Sequence, residues 1–378
     1  MKLCHTFTYL LPLGRAYISQ ARTISENPQP IIIDTDIFGD VDDVGALYVA
    51  NILHNCGLAD LRGVAVNTNS QYGALAVSVS NTIQARKTGW DTLTFIKSIC
   101  TYFGNSEIPI AALRPLTNET FFDDDEFLHS EYASKVANNW PRNLRNASST
   151  PTPVELYRSI LAAAANQSMN IISIGFLTNL KDVLKSKADE ISPLSGSDLI
   201  AAKTRELVVM GGAYPSGSEY NFGHSDPEST AYVLKNWPKS VAITYSGFEL
   251  GGDIDSGQNL DVLSPPNSPI LAAYQWYVGR GSTVRPSWDP ITTLYGSLGL
   301  DGFEKLGLGR MLAFANRDGH NSLTSANASN AWVNDTSVTN QHWLKLADGV
   351  TNSSMSWLLD RVFTHDPVQQ RCFSRTNS

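Results

Sequence analysis

The sequence predicts an α/β protein with a mostly parallel central sheet, open and doubly wound, and helices on its faces. Three observations lead there. Apolar runs of strand length alternate with helix-length amphipathic segments along most of the chain. The polar clusters fall just after those runs, where open α/β sheets bind their ligands. No fixed-period repeat and no Gly/Ser- or Pro-rich linker divides the 378 residues cleanly.

The elements follow in order. Ile31–Ile33 is a buried-strand run that precedes a long helical stretch from Asp43. Leu61–Val66, Asn170–Ile174, Glu206–Met210 and Ser240–Tyr245 are the next strand candidates. Leu177-Thr178-Asn179 opens a helix after the third of these. Asp226 reads as an N-cap with Pro227 at the first helical position, and Asp289-Pro290 opens another helix rich in Thr, Leu and Tyr.

With 42% hydrophobic and 17% charged residues the chain has the composition of a folded domain, and disorder throughout is excluded. The formal charge is −8 and no Lys/Arg run follows a phosphate backbone, which argues against nucleic acid as a partner. No apolar stretch reaches the roughly 20 residues that span a bilayer, and mean hydropathy is −0.16; a membrane protein is not expected. Residues 1–21 have the order of a secretory signal: Lys2, an apolar core from Phe7 to Leu13, then small residues around Ala16 to Ala21, with His5, Arg15 and Arg22 as interruptions. Six N-x-[ST] sequons, at Asn118, Asn146, Asn166, Asn327, Asn334 and Asn352, reinforce the expectation of a secreted glycoprotein. Without Cys4, the three cysteines Cys56, Cys100 and Cys372 are compatible with one disulfide and one thiol, or with three thiols.

The chemistry concentrates after Ile33. Asp34, Asp36, Asp40, Asp42 and Asp43 put five carboxylates in ten residues. So many like charges at a strand end repel one another unless a cation neutralises them. An oxygen-loving divalent ion fits, and Ca²⁺ suits this loop better than Zn²⁺, because His and Cys are missing from it. An EF-hand is rejected: Phe38 and Gly45 stand where loop positions five and twelve need oxygen ligands, and a strand precedes the loop. A haloacid-dehalogenase-like phosphatase matches through Asp34 and Asp36, yet the acidic continuation would repel a phosphate; it is kept as an enzymatic alternative.

The apolar strand, the Asp-x-Asp pair, the Gly-containing loop, Asp42-Asp43 and the small-residue helix together resemble the inosine/uridine-preferring nucleoside hydrolases. Ser173 to Asn179, Met210 to Ala213, Glu219 to Asn221, Asp226-Pro227-Glu228 and Asp289-Pro290 extend the resemblance over most of residues 30–365. It implies a nucleoside hydrolase-like sheet and hydrolysis of the N-glycosidic bond of ribonucleosides with a bound Ca²⁺. Carried across residue by residue, Asp36 resembles the carboxylate that touches the metal and takes a proton from water, and Asp43 and Asp289 resemble metal ligands. The Ile174 carbonyl resembles a further ligand. Asp42 resembles the ribose-hydroxyl acceptor, Glu219 and Asn221 resemble ribose-binding groups, and Asp34 resembles the residue that braces the loop. Asn67 or Asn69 is expected to face the sugar. Carboxylates around the sugar also suit the chemistry itself, since base loss passes through an oxocarbenium-like centre.

Three departures qualify the resemblance. The loop between Asp36 and Asp42 is two residues longer than in the best-known members. Trp288 stands where His often protonates the leaving base; a Trp stacks on a base but is a poor acid. His224 is the nearest alternative acid by sequence. From about Asn81 to Lys97 the chain has no counterpart, and residues 81–97 read as a surface insertion, with a retained non-coding segment of the gene as a second version of that reading. A non-catalytic ribose- or nucleoside-binding protein is the alternative to the enzyme. A homo-oligomer is compatible with the resemblance, though no segment marks an interface.

Overall fold

The computed structural model describes residues 28–81, 102–120, 131–224, 226–265 and 267–365. The expected signal at 1–21 and all but the first residue of the expected insertion lie outside them. In chain order the strands are β1 Gln29–Thr35, β2 Ala59–Val66, β3 Ile110–Ala112, β4 Met169–Ser173, β5 Thr204–Met210, β6 Ser216–Gly217 and β7 Ala242–Ser246. There follow β8 Asp255–Ser256, β9 Arg285–Pro286, β10 Leu312–Phe314, β11 His320–Leu323, β12 Asn330–Val333 and β13 Gln341–Leu346.

Eight of them form the central sheet in the order β10-β13-β7-β5-β4-β1-β2-β3. Every pairing is parallel except β10 with β13, an antiparallel pair at one edge. Side chains alternate between two cores. Ile31 and Ile33 pack on one face with the helices Asp42–Asn55, Trp288–Lys305 and Asn352–Phe363, whereas Ile32 packs on the other with Pro153–Ala163 and Thr178–Lys185. Burial on both faces is why β1 reads as a continuous apolar run instead of an alternating one.

Chain order fixes the place of the site. From β1 the chain moves outward through β2 and β3, then returns to the opposite flank of β1 as β4 and continues through β5 and β7. The order therefore reverses between β1 and β4, where Asp34 lies in register with Ser173. The connections that leave these two strands diverge to opposite faces and open a crevice at their carboxyl ends.

The five strand candidates are all present, with ends shifted by a residue or two. The helix at Asp226 has the expected cap, its carboxylate accepting from Ser229 N at 3.0 Å. At Thr178 no side chain caps the helix, and the helix bearing Asp289 begins at Trp288 after Ser287. Cys56 is disulfide-bonded; since every other cysteine lies outside the described residues, so does its partner. Among the described residues no helix is long and apolar enough to cross a membrane.

Candidate active site

One cavity of about 190 Å³ opens at the reversal point, bounded by Asp36, Gly39, Asp40, Asp42, Asp43, Ile174, Met210, Glu219, Tyr220, Asn221, Phe248, Arg285, Trp288 and Asp289. That is about 13 to 19 times the space one water requires and suits a small molecule. Eight residues expected from the sequence converge here from four chain regions: Asp36, Asp42, Asp43, Ile174, Glu219, Asn221, Trp288 and Asp289.

At the floor, Asp36, Asp43 and Asp289 are buried and offer carboxylate oxygens within 4.8 Å of one another. Their positions come from three elements: the end of β1, the first turn of the Asp42–Asn55 helix and the first turn of the Trp288–Lys305 helix. Thr35 Oγ1 donates a short hydrogen bond to Asp43 and fixes its rotamer. Asp42 Oδ2 accepts from the backbone N–H groups of Trp288 and Asp289, at 3.1 Å each, so the exposed amides of one helix start hold a carboxylate from another. The Ile174 carbonyl accepts a long 3.5 Å bond from Asn221 Nδ2.

Glu219 caps the short Tyr220–Gly223 helix: its Oε1 accepts from Asn221 N at 2.8 Å and its Oε2 from Gly212 N and Phe222 N at 3.0 and 3.1 Å. Burial nonetheless pushes its pKa up to about 7. Asp42 is pushed up to about 8, first by burial and then by Asp40. Asp36, Asp43 and Asp289 lie well above the usual carboxylate range, chiefly through burial and then through repulsion from neighbouring carboxylates, Asp42 and Asp40 acting on all three. A divalent cation relieves this repulsion directly. The all-oxygen donor set, with no His or Cys along the cavity among the described residues, fits a hard ion.

Asp34 lies behind the cavity, fully buried. It accepts from Asn67 Nδ2 at 2.7 Å, Tyr157 Oη at 2.9 Å and Asn179 Nδ2 at 3.2 Å. These contacts tie β1 to the segments after β2 and β4, although burial raises the pKa to about 7. The structure does not bring Asn67 or Asn69, expected to face the sugar, to the cavity. Asn67 Nδ2 is spent on Asp34 and, at 2.9 Å, on the Phe176 carbonyl, while Asn69 is exposed; neither lines the cavity.

The upper wall is aromatic. Phe248 and Trp288 stack at 5.6 Å, and Trp288 Nε1 donates to the Phe248 carbonyl at 2.8 Å. His224 does not line the cavity; its exposed ring stacks at 4.3 Å on Tyr220, which does. Sequence reasoning assigned nothing to Tyr220, Phe248 or Arg285, and gave Asp40 only a share in the acidic cluster. Phe248, two residues beyond β7, follows the same strand-end rule as the others and was legible on that ground.

A parallel sheet with an acidic crevice at its switch point and an aromatic wall defines a class of small-molecule-binding α/β protein. A model of the inosine-uridine preferring nucleoside hydrolase family matches residues 31–284, and the chain belongs to that family, enzymes that hydrolyse N-glycosyl bonds. Among solved structures the fold is similar to a plant nucleoside hydrolase, at 17% identity, TM-score 0.57 and coverage of 89% of this chain and 99% of that one. It is also similar to the inosine-uridine preferring nucleoside hydrolase of Bacillus anthracis, at 16% identity, TM-score 0.55 and the same coverages. An inosine-guanosine nucleoside hydrolase aligns at 16% identity and TM-score 0.54, covering 89% of this chain and 98% of that one. No curated protein sequence matches the chain significantly.

Proposed function

We propose that this protein is a secreted, Ca²⁺-dependent ribonucleoside hydrolase that releases ribose and free base. The observation that carries the reading is the buried triad Asp36, Asp43 and Asp289 at the floor of an aromatic-walled cavity. These residues, with the Ile174 carbonyl, would hold the cation. When bound it lowers the pKa of a ligated water and orients the ribose diol.

The protein's own groups do the rest. Asp36 takes the proton from the attacking water. Asp42, with Oδ2 tied to two backbone amides, keeps Oδ1 for a ribose hydroxyl. Asn221 and Glu219 close the sugar end, and the cluster's negative charge stabilises the oxocarbenium-like centre. Trp288 offers its face to the base. Its N–H is engaged with Phe248, so it donates no proton to the leaving group.

Two features support secretion. All six sequon asparagines are exposed, and Cys56 is disulfide-bonded. A family match leaves the phosphatase alternative without support. The binding-protein alternative draws on the absence of an acid at Trp288. Ribose release from five common ribonucleosides, with and without chelator, separates enzyme from binder: chelator-sensitive release supports the hydrolase, and binding without release supports the alternative.

A further inference from the structure

Among the described residues, Arg285 is the cation beside the cavity's six carboxylates, Asp36, Asp40, Asp42, Asp43, Glu219 and Asp289. It extends from β9, three residues before Trp288, and its guanidinium carbon lies 5.6 Å from the Trp288 ring and 5.2 Å from the Tyr277 ring. Nε donates to Asp40 Oδ1 at 3.0 Å and Nη2 donates to Asp40 Oδ2, a two-point contact that fixes the guanidinium plane. Asp40 is itself held by Val41 N at 2.6 Å and belongs to the lengthened loop. One edge of the fork is thereby used. Nη1 has no hydrogen bond among the described residues, and beyond Asp40 Nη2 has only a 3.5 Å contact to Tyr277 Oη. The Nη1–Nη2 edge is left as a pair of parallel donors beside the aromatic wall.

We propose that Arg285, oriented by Asp40, binds the leaving base and selects ribosides of 6-oxopurines, whose O6 and N7 present two acceptors along one edge. Arginine carries donors only, and its fork matches O6 and N7 of an oxopurine. Adenine puts an amino donor in the place of O6 and meets the fork donor to donor. This deepens the proposed hydrolase activity and rests on it. It also supplies what Trp288 lacks. As the C1′–N9 bond breaks, its electron pair passes to the base, the water oxygen bonds C1′, and the water proton goes to Asp36. The base departs as an anion whose charge, spread toward O6 and N7, faces the guanidinium, and it then takes a proton from solvent.

The test compares kcat/KM for inosine and adenosine in the wild type, Arg285→Gln and Arg285→Lys, with thermal melts to confirm folding. The inosine-to-adenosine ratio is expected to be well above one and to fall roughly 10- to 100-fold in Arg285→Gln, the worth of one bidentate pair. Arg285→Lys keeps charge without the fork and should restore little of it. A wild-type ratio near one, or one that the substitutions leave unchanged while all rates fall together, overturns the proposal and leaves Arg285 as a strap for the loop. Calorimetric binding of free hypoxanthine and adenine to the wild type reads the preference without turnover. If no riboside is hydrolysed, the activity reading fails, and the base preference still decides this one: tighter hypoxanthine sustains it, and equal affinity overturns it.

Discussion

Gly175 sets the position of the cavity floor through space alone. A Cβ at this residue would lie 2.6 Å from Oδ1, 2.7 Å from N and 2.8 Å from Cβ of Asp36, short of ordinary contact at 3.4 Å by about 0.6 to 0.8 Å. Two of the three obstructing atoms cannot rotate away, because one is backbone and the other is attached to it. In Gly175→Ala, therefore, either Asp36 retreats by most of an ångström or the end of β4 moves, and with it the Ile174 carbonyl. A misplacement of about 1 Å costs on the order of 100-fold in rate, so kcat should fall about 10- to 100-fold. Overpacking should lower stability by about 1–3 kcal/mol. Ribose release and a Ca²⁺ titration of the folded variant read both consequences. Full kcat with unchanged Ca²⁺ affinity would refute the claim that this contact places Asp36.

Removal of divalent ions should make stability depend on pH with a defined sign. Asp42 rises from 3.8 to about 8 and Asp34 to about 7, both chiefly through burial. The folded form then binds more protons than the unfolded one between about pH 4 and 8, so the chelated protein should lose stability as pH rises through that window. Thermal melts should show Ca²⁺ raising Tm more at pH 8 than at pH 5, and an equal increment would count against a carboxylate site. Asp34→Ala strands the Asn67, Asn179 and Tyr157 donors; at roughly 1–3 kcal/mol for each buried group left unpaired, a loss of about 3 kcal/mol or more is expected in denaturant titration. Endoglycosidase treatment of the protein secreted from a eukaryotic host should lower its apparent mass, since all six sequon asparagines are exposed; an unchanged mass would remove glycosylation from the account.

The parallel strands were legible because burial on both faces writes them as short apolar runs, as in Ile31–Ile33. β3 was not, having only three residues, and neither was the antiparallel edge, where Leu312–Phe314 is likewise only three residues long and Gln341–Leu346 mixes polar and apolar residues in no single pattern. Two carboxylates of the buried triad, Asp36 and Asp43, could be read from local sequence, since five like charges in ten residues at the end of β1 repel one another unless a cation neutralises them. Asn67 shows where such reading stops. A polar residue after a strand points to the crevice on average, but this one turns inward to satisfy Asp34, a choice made by a tertiary hydrogen bond. Arg285 was hidden for a related reason: its partner Asp40 is 245 residues away in sequence.

The central claim is that Asp36 activates water beside a cation-binding triad to split ribosides. Ribose release should be measured from inosine, adenosine, guanosine, uridine and cytidine for the wild type and Asp36→Asn, with and without chelator. The account predicts release that chelator abolishes and Ca²⁺ restores, and a loss of at least about 100-fold in Asp36→Asn, the scale of general-base catalysis. Turnover that survives both chelator and Asp36→Asn would contradict it.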